Sequence, residues 1–194
     1  MRFKSKAVGG YTVYAVSGIN SISFAIDFTK ANTKGLLGFA VERIDPTEKE
    51  RYFMPNLKVF KQVIPRPKPF GSYSSYDHPV QSFVWDDFTA KENRRYEYIF
   101  YPVKGTPRNL DRRAKGISIN VKTEVRIDKK QEHEIYFNRG VASSQAYARV
   151  FGNETPDEME EPIRRKSLDW LGRGLDDAIL RFIRQAKKGD ELLC

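Results

Sequence analysis

Along the first two thirds of the chain, apolar and polar residues alternate. Ile22, Phe24, Ile26 and Phe28 fall at every second place, with Ser21, Ser23, Ala25 and Asp27 between them, which describes a strand with one apolar face. Leu37, Phe39 and Val41 continue the theme up to Asp45-Pro46-Thr47-Glu48. That turn-forming run predicts a hairpin with Arg51-Tyr52-Phe53-Met54. Tyr96, Tyr98, Phe100 and Pro102 mark one face of another strand, and Ile99, Tyr101 and Val103 the other. The cleanest alternation sets Ile117, Ile119, Val121, Thr123, Val125 and Ile127 against Ser118, Asn120, Lys122, Glu124 and Arg126. With residues 11–16 and 80–85, about seven short strands are expected, and an antiparallel sandwich is their natural architecture. Between them, residues 56–79 hold four Pro and no periodicity, and residues 104–116 form a second irregular stretch.

After Asp128 the period changes. Residues 141–151 have helical composition and end at Gly152-Asn153. An acidic run from Asp157 to Glu161 then closes with Pro162. Leu168, Leu171, Leu175, Ala178, Ile179, Phe182 and Ala186 recur at spacings of three and four. They predict one amphipathic helix over residues 167–188, with Ser167 as N-cap and Lys187-Lys188-Gly189 as its end. Glu191-Leu192-Leu193-Cys194 reads either as a frayed tail or as the start of a truncated strand, and the second reading is preferred. The expected fold is mainly β with C-terminal helices: an antiparallel β-sandwich over residues 1–130, then two helices and the start of a strand over 131–194.

Composition narrows the chemistry. Thirteen Phe and ten Tyr favour strands, and the single Cys194 leaves no disulfide framework. The basic N-terminus lacks the apolar stretch of a signal peptide, and no run approaches a membrane span, so a cytoplasmic protein is expected. His78 and His133 stand apart from each other, read as solvated loop residues, and offer no zinc site. The acidic pairs Asp86-Asp87 and Asp176-Asp177 diverge in a strand or a helix, and no glycine-rich phosphate loop is present. No catalytic residue, metal ligand set or cofactor is assigned. The net charge of +9 invites a nucleic-acid or anionic-membrane reading without deciding it, and basic residues cluster in three places. Lys58, Lys61, Arg66 and Lys68 interleave with Phe60, Phe70, Tyr73 and Tyr76, with no acid from Tyr52 to Tyr76. Arg108, Arg112, Arg113 and Lys115 make a second cluster, and Arg164-Arg165-Lys166 a third. Cations among aromatics on a loop suit backbone phosphate contact and base stacking in DNA or RNA. The same loops equally serve solubility or docking on an acidic domain.

Two resemblances follow from these residues. Tyr96-Glu97-Tyr98-Ile99-Phe100-Tyr101-Pro102-Val103 looks like the later strands of a fibronectin type III domain, and Trp85-Asp86-Asp87-Phe88-Thr89 resembles the approach to that fold's tyrosine corner. The gap from Phe88 to Tyr96 and the 56–79 insertion depart from that pattern. The stretch from Tyr136 to Tyr147, followed by Leu168-Asp169-Trp170-Leu171-Gly172-Arg173-Gly174-Leu175, is similar to the segment ahead of the catalytic domain in bacterial phospholipase D-like proteins of the HKD superfamily. Members cleave phosphodiesters with His-x-Lys and Asp sets. Neither set is present, because His78 is followed by Pro79-Val80 and His133 by Glu134-Ile135. The resemblance implies the N-terminal region of a phosphodiesterase that is inactive without its missing HKD domain, with the sandwich recruiting substrate or partner. The basic loops and the missing membrane segment favour a nuclease over a lipase, hence DNA or RNA as partner, and the apolar Leu168–Phe182 stripe favours self-association. The rival reading is a stand-alone, non-catalytic protein-interaction module.

Overall fold

The computed structural model describes residues 1–69, 71–125, 136, 145–152 and 154–191. Phe70, Arg126 and Ile127 of the last expected strand, His133, the start of the first expected helix, most of the phospholipase D-like stretch before Tyr147, and Leu192, Leu193 and Cys194 of the expected terminal strand fall outside them. The chain divides into two compact units, Met1–Val125 and Arg126–Cys194.

The first unit is built from antiparallel strands. β1 (Arg2–Lys4), β2 (Tyr11–Ser17), β3 (Ile22–Phe28), β4 (Leu36–Asp45) and β5 (Glu50–Phe53) come first. A short pair, β6 (Pro55–Asn56) and β7 (Tyr73–Ser74), brackets the proline-rich segment. β8 (Val84–Asp87), β9 (Arg95–Thr106), β10 (Asn109–Asp111) and β11 (Ile117–Lys122) complete it. One sheet has the order β1-β2-β3-β8, and the other β10-β9-β4-β5 with β11 also paired to β9. Most of the period-two residues face inward as expected, but Phe28 at the end of β3 and Val125 are exposed. Val13, Ile22 and Phe24 of the first sheet meet Val41, Tyr98, Phe100, Ile117 and Ile119 of the second in one core. Phe24 sits at its centre, with ring centroids 4.7 Å from Tyr98, 5.1 Å from Phe100 and 5.6 Å from Trp85. Burying such a side chain stabilises the fold by about 1.5–3 kcal/mol.

Several elements differ from expectation for local reasons. The strand expected over 80–85 starts at Val84, because Val80 instead bridges Phe39 of β4 through paired backbone bonds of 3.0 and 2.8 Å. The final strand stops at Lys122, where Thr123 and Glu124 turn their amides to Arg94 and Gly18. Residues 104–111 are not irregular: β9 runs on to Thr106 and folds back as β10. The β4–β5 hairpin forms where predicted, and the Asp45 carboxylate accepts the amides of Thr47 and Glu48 at 2.8 and 3.2 Å.

The second unit contains helices α1 (Gln145–Phe151), α2 (Ile163–Gly172) and α3 (Leu175–Ile183). The single helix expected over 167–188 is therefore two. It begins earlier, directly after Pro162, and breaks where Arg173 and Gly174 both adopt left-handed backbone (φ 51° and 79°). Ser167 is not an N-cap; it is buried, with its hydroxyl 2.7 Å from that of Tyr147. Tyr147, Phe151 and Trp170 pack ring to ring around it. The apolar stripe is not buried as a core face would be: Leu168 and Ile179 are exposed, and Phe182 is 70% exposed. Among the described residues no helix is long and apolar enough to cross a membrane.

Candidate nucleic-acid interface

The long 56–79 segment is cinched at its root. Asn56 donates its side-chain amide to the carbonyls of His78 (2.8 Å), Pro79 (3.1 Å) and Lys58 (3.1 Å), while its own oxygen accepts the amide of Leu57 (2.8 Å). Ser75 bridges to β4 by accepting the Val41 amide and donating to the Val41 carbonyl, each at 3.1 Å. His78 is buried rather than solvated. It packs against Tyr73 and Phe60, and its Nδ1 accepts the Phe60 amide at 3.4 Å. Phe60 is buried too, and the Tyr73 hydroxyl accepts the Lys68 amide at 3.0 Å. These two rings thus hold the loop together and do not present a stacking platform. Lys58, Lys61, Arg66 and Lys68 remain exposed.

The β9–β10 hairpin brings the second basic cluster to the same place. Arg108 donates to the Gln62 carbonyl at 3.3 Å. Arg112 donates twice to the Tyr76 carbonyl, at 3.1 and 2.9 Å, and its guanidinium lies 4.0 Å from the centroid of the Tyr76 ring. Arg112 also approaches Asp77 at 3.5 Å. Arg113 forks onto Asp111 at 2.9 and 2.7 Å, and the Arg113 side chain, then its amide, hold that carboxyl well below its ordinary range. Lys115 is exposed. The eight sequence-predicted cations therefore differ in role. Lys58, Lys61, Arg66, Lys68 and Lys115 are exposed, Arg108 and Arg112 tie the two segments together, and Arg113 is matched by a carboxylate. The Arg164-Arg165-Lys166 cluster lies in the first turn of α2, in the second unit.

Beside Arg112 lies a depression of about 350 Å³ on the outer face of β4, β5 and β9. Ala40, Glu42, Arg51, Phe53, Tyr76, Tyr101 and Arg112 line it. Arg51 forks onto Glu42 at 2.6 and 3.1 Å, and the Tyr101 hydroxyl donates to Glu42 at 2.9 Å. The Arg51 bond holds the Glu42 carboxyl below its ordinary pKa against the opposing effect of burial, with Tyr101 adding to it. Burial, then Glu42, raises the Tyr101 phenol. Phe53 stands between two other rings, 4.8 Å from Tyr76 and 6.0 Å from Tyr101. Sequence reading passed over Glu42, Arg51 and Phe53. The signal was present in the outward positions of the hairpin, since Glu42 pairs across it with Phe53.

A second polar cluster, also unforeseen, lies inside. Arg43 of β4 donates to Asp87 of β8 at 2.9 Å and to the Thr89 hydroxyl at 2.7 Å, and also bonds Tyr52. Tyr98 of β9 donates to the same Asp87 oxygen at 2.7 Å, while the Thr89 amide and hydroxyl both donate to the other oxygen at 2.7 Å. Burial opposes the Arg43 cation, yet Asp87, Tyr98 and Tyr52 leave its pKa raised. Burial, then Asp87, raises the Tyr98 phenol. The cluster joins the two sheets, and within it the buried Arg43 Nε alone has no hydrogen-bond partner among the described residues. Among the described residues no group of His, Cys, Asp and Glu could hold a metal ion. The chain matches no protein-family model, no curated protein and no solved structure.

Proposed function

We propose that this chain is a nucleic-acid-recruiting region and that its place is ahead of the catalytic domain of a phospholipase D-like nuclease. One observation carries the recruiting role: two basic segments far apart in sequence are fastened side by side by Arg108 on Gln62 and Arg112 on Tyr76, next to an aromatic depression. A polyanion that touches both releases condensed counterions from each neutralised phosphate. The phospholipase D-like placement rests on the resemblance of the Leu168–Leu175 segment and its approach.

The first unit reads further as a fibronectin type III-like sandwich. β2, β3 and β8 take the places of strands A, B and E, and β4, β9 and β11 those of C, F and G. The Tyr96 hydroxyl, near the start of β9, accepts the Lys91 amide at 2.8 Å, as a tyrosine corner does.

The test is binding of single-stranded and duplex DNA across a salt series, for the wild type and for Lys58, Lys61, Arg66 and Lys68 changed together to Ala. Weaker binding with a shallower log–log slope in the variant supports the reading. If the wild type binds neither form at low salt, the recruiting role is wrong and the basic loops are docking or solubility features.

A further inference from the structure

We propose that the depression on the outer face of β4, β5 and β9 is a pocket for one unstacked nucleobase of a single strand. This rests on the recruiting role proposed above and deepens it. The space, about 350 Å³, lies at the low end of small-ligand sites, so a lone heterocycle suits it better than a larger ligand. Its walls are planar groups: the rings of Tyr101, Phe53 and Tyr76 and the guanidinium of Arg112. Three of the lining groups are held before any ligand arrives. Arg112 is tied to the Tyr76 carbonyl, Arg51 to Glu42, and the Tyr101 hydroxyl to Glu42. Aromatic and guanidinium faces of this kind stack on any base, because every base presents a π-face.

Charge decides between a base and an anion. Inside the depression the one carboxylate, Glu42, is matched by Arg51, and Arg112 faces Asp77 at 3.5 Å. The lining thus carries two guanidinium groups against one carboxylate, with Asp77 outside it beside Arg112, a small net charge, while the exposed cations lie on the loops that Arg108 and Arg112 join. A neutral planar base inside and an anionic backbone outside fit that division. A phosphate or carboxylate inside would have to compete with Glu42 for Arg51 and with the Tyr76 carbonyl and Asp77 for Arg112. A duplex keeps its bases stacked and offers none to a sheet-face pocket, so the strand that fits is single.

The experiment compares the full chain's affinity for a labelled oligothymidylate of about a dozen nucleotides with that for an abasic strand of equal length. The abasic strand keeps every phosphate and lacks the bases. The wild type is expected to bind the abasic strand about tenfold or more weakly, with the same salt slope. Phe53→Leu and Tyr76→Leu are expected to close that gap without changing the slope. Thermal melts check that both variants fold, and the wild-type comparison stands without them. Equal affinity for the two strands with a steep salt slope overturns the pocket and leaves the recruiting surface intact. A gap that persists in both folded variants places the stacking elsewhere and overturns the pocket as well. Absence of binding to either strand at low salt overturns both readings.

Discussion

Asp87 and Arg43 meet between the sheets with side chains 0% and 7% exposed, and their fates are tied. Asp87 accepts bonds from Arg43, Tyr98 and Thr89, so removing it strands a buried cation and a buried phenol. Breaking such a pair costs about 3–5 kcal/mol, whereas replacing both partners with apolar groups of similar size is far milder. Asp87→Leu is therefore expected to lower stability by about 3–5 kcal/mol in urea titrations, and Arg43→Met combined with Asp87→Leu to recover part of that loss. A double variant less stable than either single would contradict the coupling. Glu42 gives a pH test on the outer face. Its carboxyl is held below the ordinary value, so its bonds to Arg51 and Tyr101 stabilise the fold fully above the unfolded carboxylate range. That contribution disappears as the pH falls through the lowered folded value. The stability difference between wild type and Glu42→Gln is expected to be constant near neutrality and to shrink on strong acidification. A difference that grows toward acid would place the charge effect elsewhere.

At the scale of elements, one glycine shows how the long loop is seated. Gly38 lies in β4 with φ 144°, where an added Cβ would collide with the Val80 carbonyl. That close approach lets Phe39 and Val80 exchange backbone bonds and ends the 56–79 excursion against the sheet. Gly38→Ala is expected to destabilise by about 2 kcal/mol and to increase proteolytic cleavage within residues 56–79. Unchanged cleavage would show that the bridge does not seat the loop. The strands of the core were legible because inward residues recur every second place over six or more positions, as in β3 and β11. β1 and β10 are three residues each, too short for a period to show. The helix break was hidden because the three–four spacing of Leu168, Leu171 and Leu175 runs straight across Arg173, an arginine in a left-handed conformation no pattern announces. The basic loops were legible from composition, but the fastening of Arg108 and Arg112 to the loop was not. Nor was the depression, whose residues come from β4, β5, β9 and two loops and meet only through strand register.

For the whole molecule, the division at Val125 separates two kinds of basic surface. The loops that carry Lys58, Lys61, Arg66, Lys68 and Lys115 belong entirely to the first unit, as does the core that supports them. Arg164, Arg165 and Lys166 belong to the second unit. The salt dependence of binding counts phosphates neutralised, at roughly 0.7 of a log unit per contact for a single strand. It therefore measures what each unit contributes without reference to their arrangement. A chain of residues 1–125 is expected to melt cooperatively, since every residue of the large core lies within it. It is expected to bind single-stranded DNA with a log–log slope close to that of the full chain, because its exposed cations are retained. A slope lower by about 2 would mean that about three cations of the second unit also contact phosphate, and that recruitment is shared between the units. Full loss of binding by a well-folded 1–125 chain would move the interface to the second unit and leave the loops of the first as a docking surface.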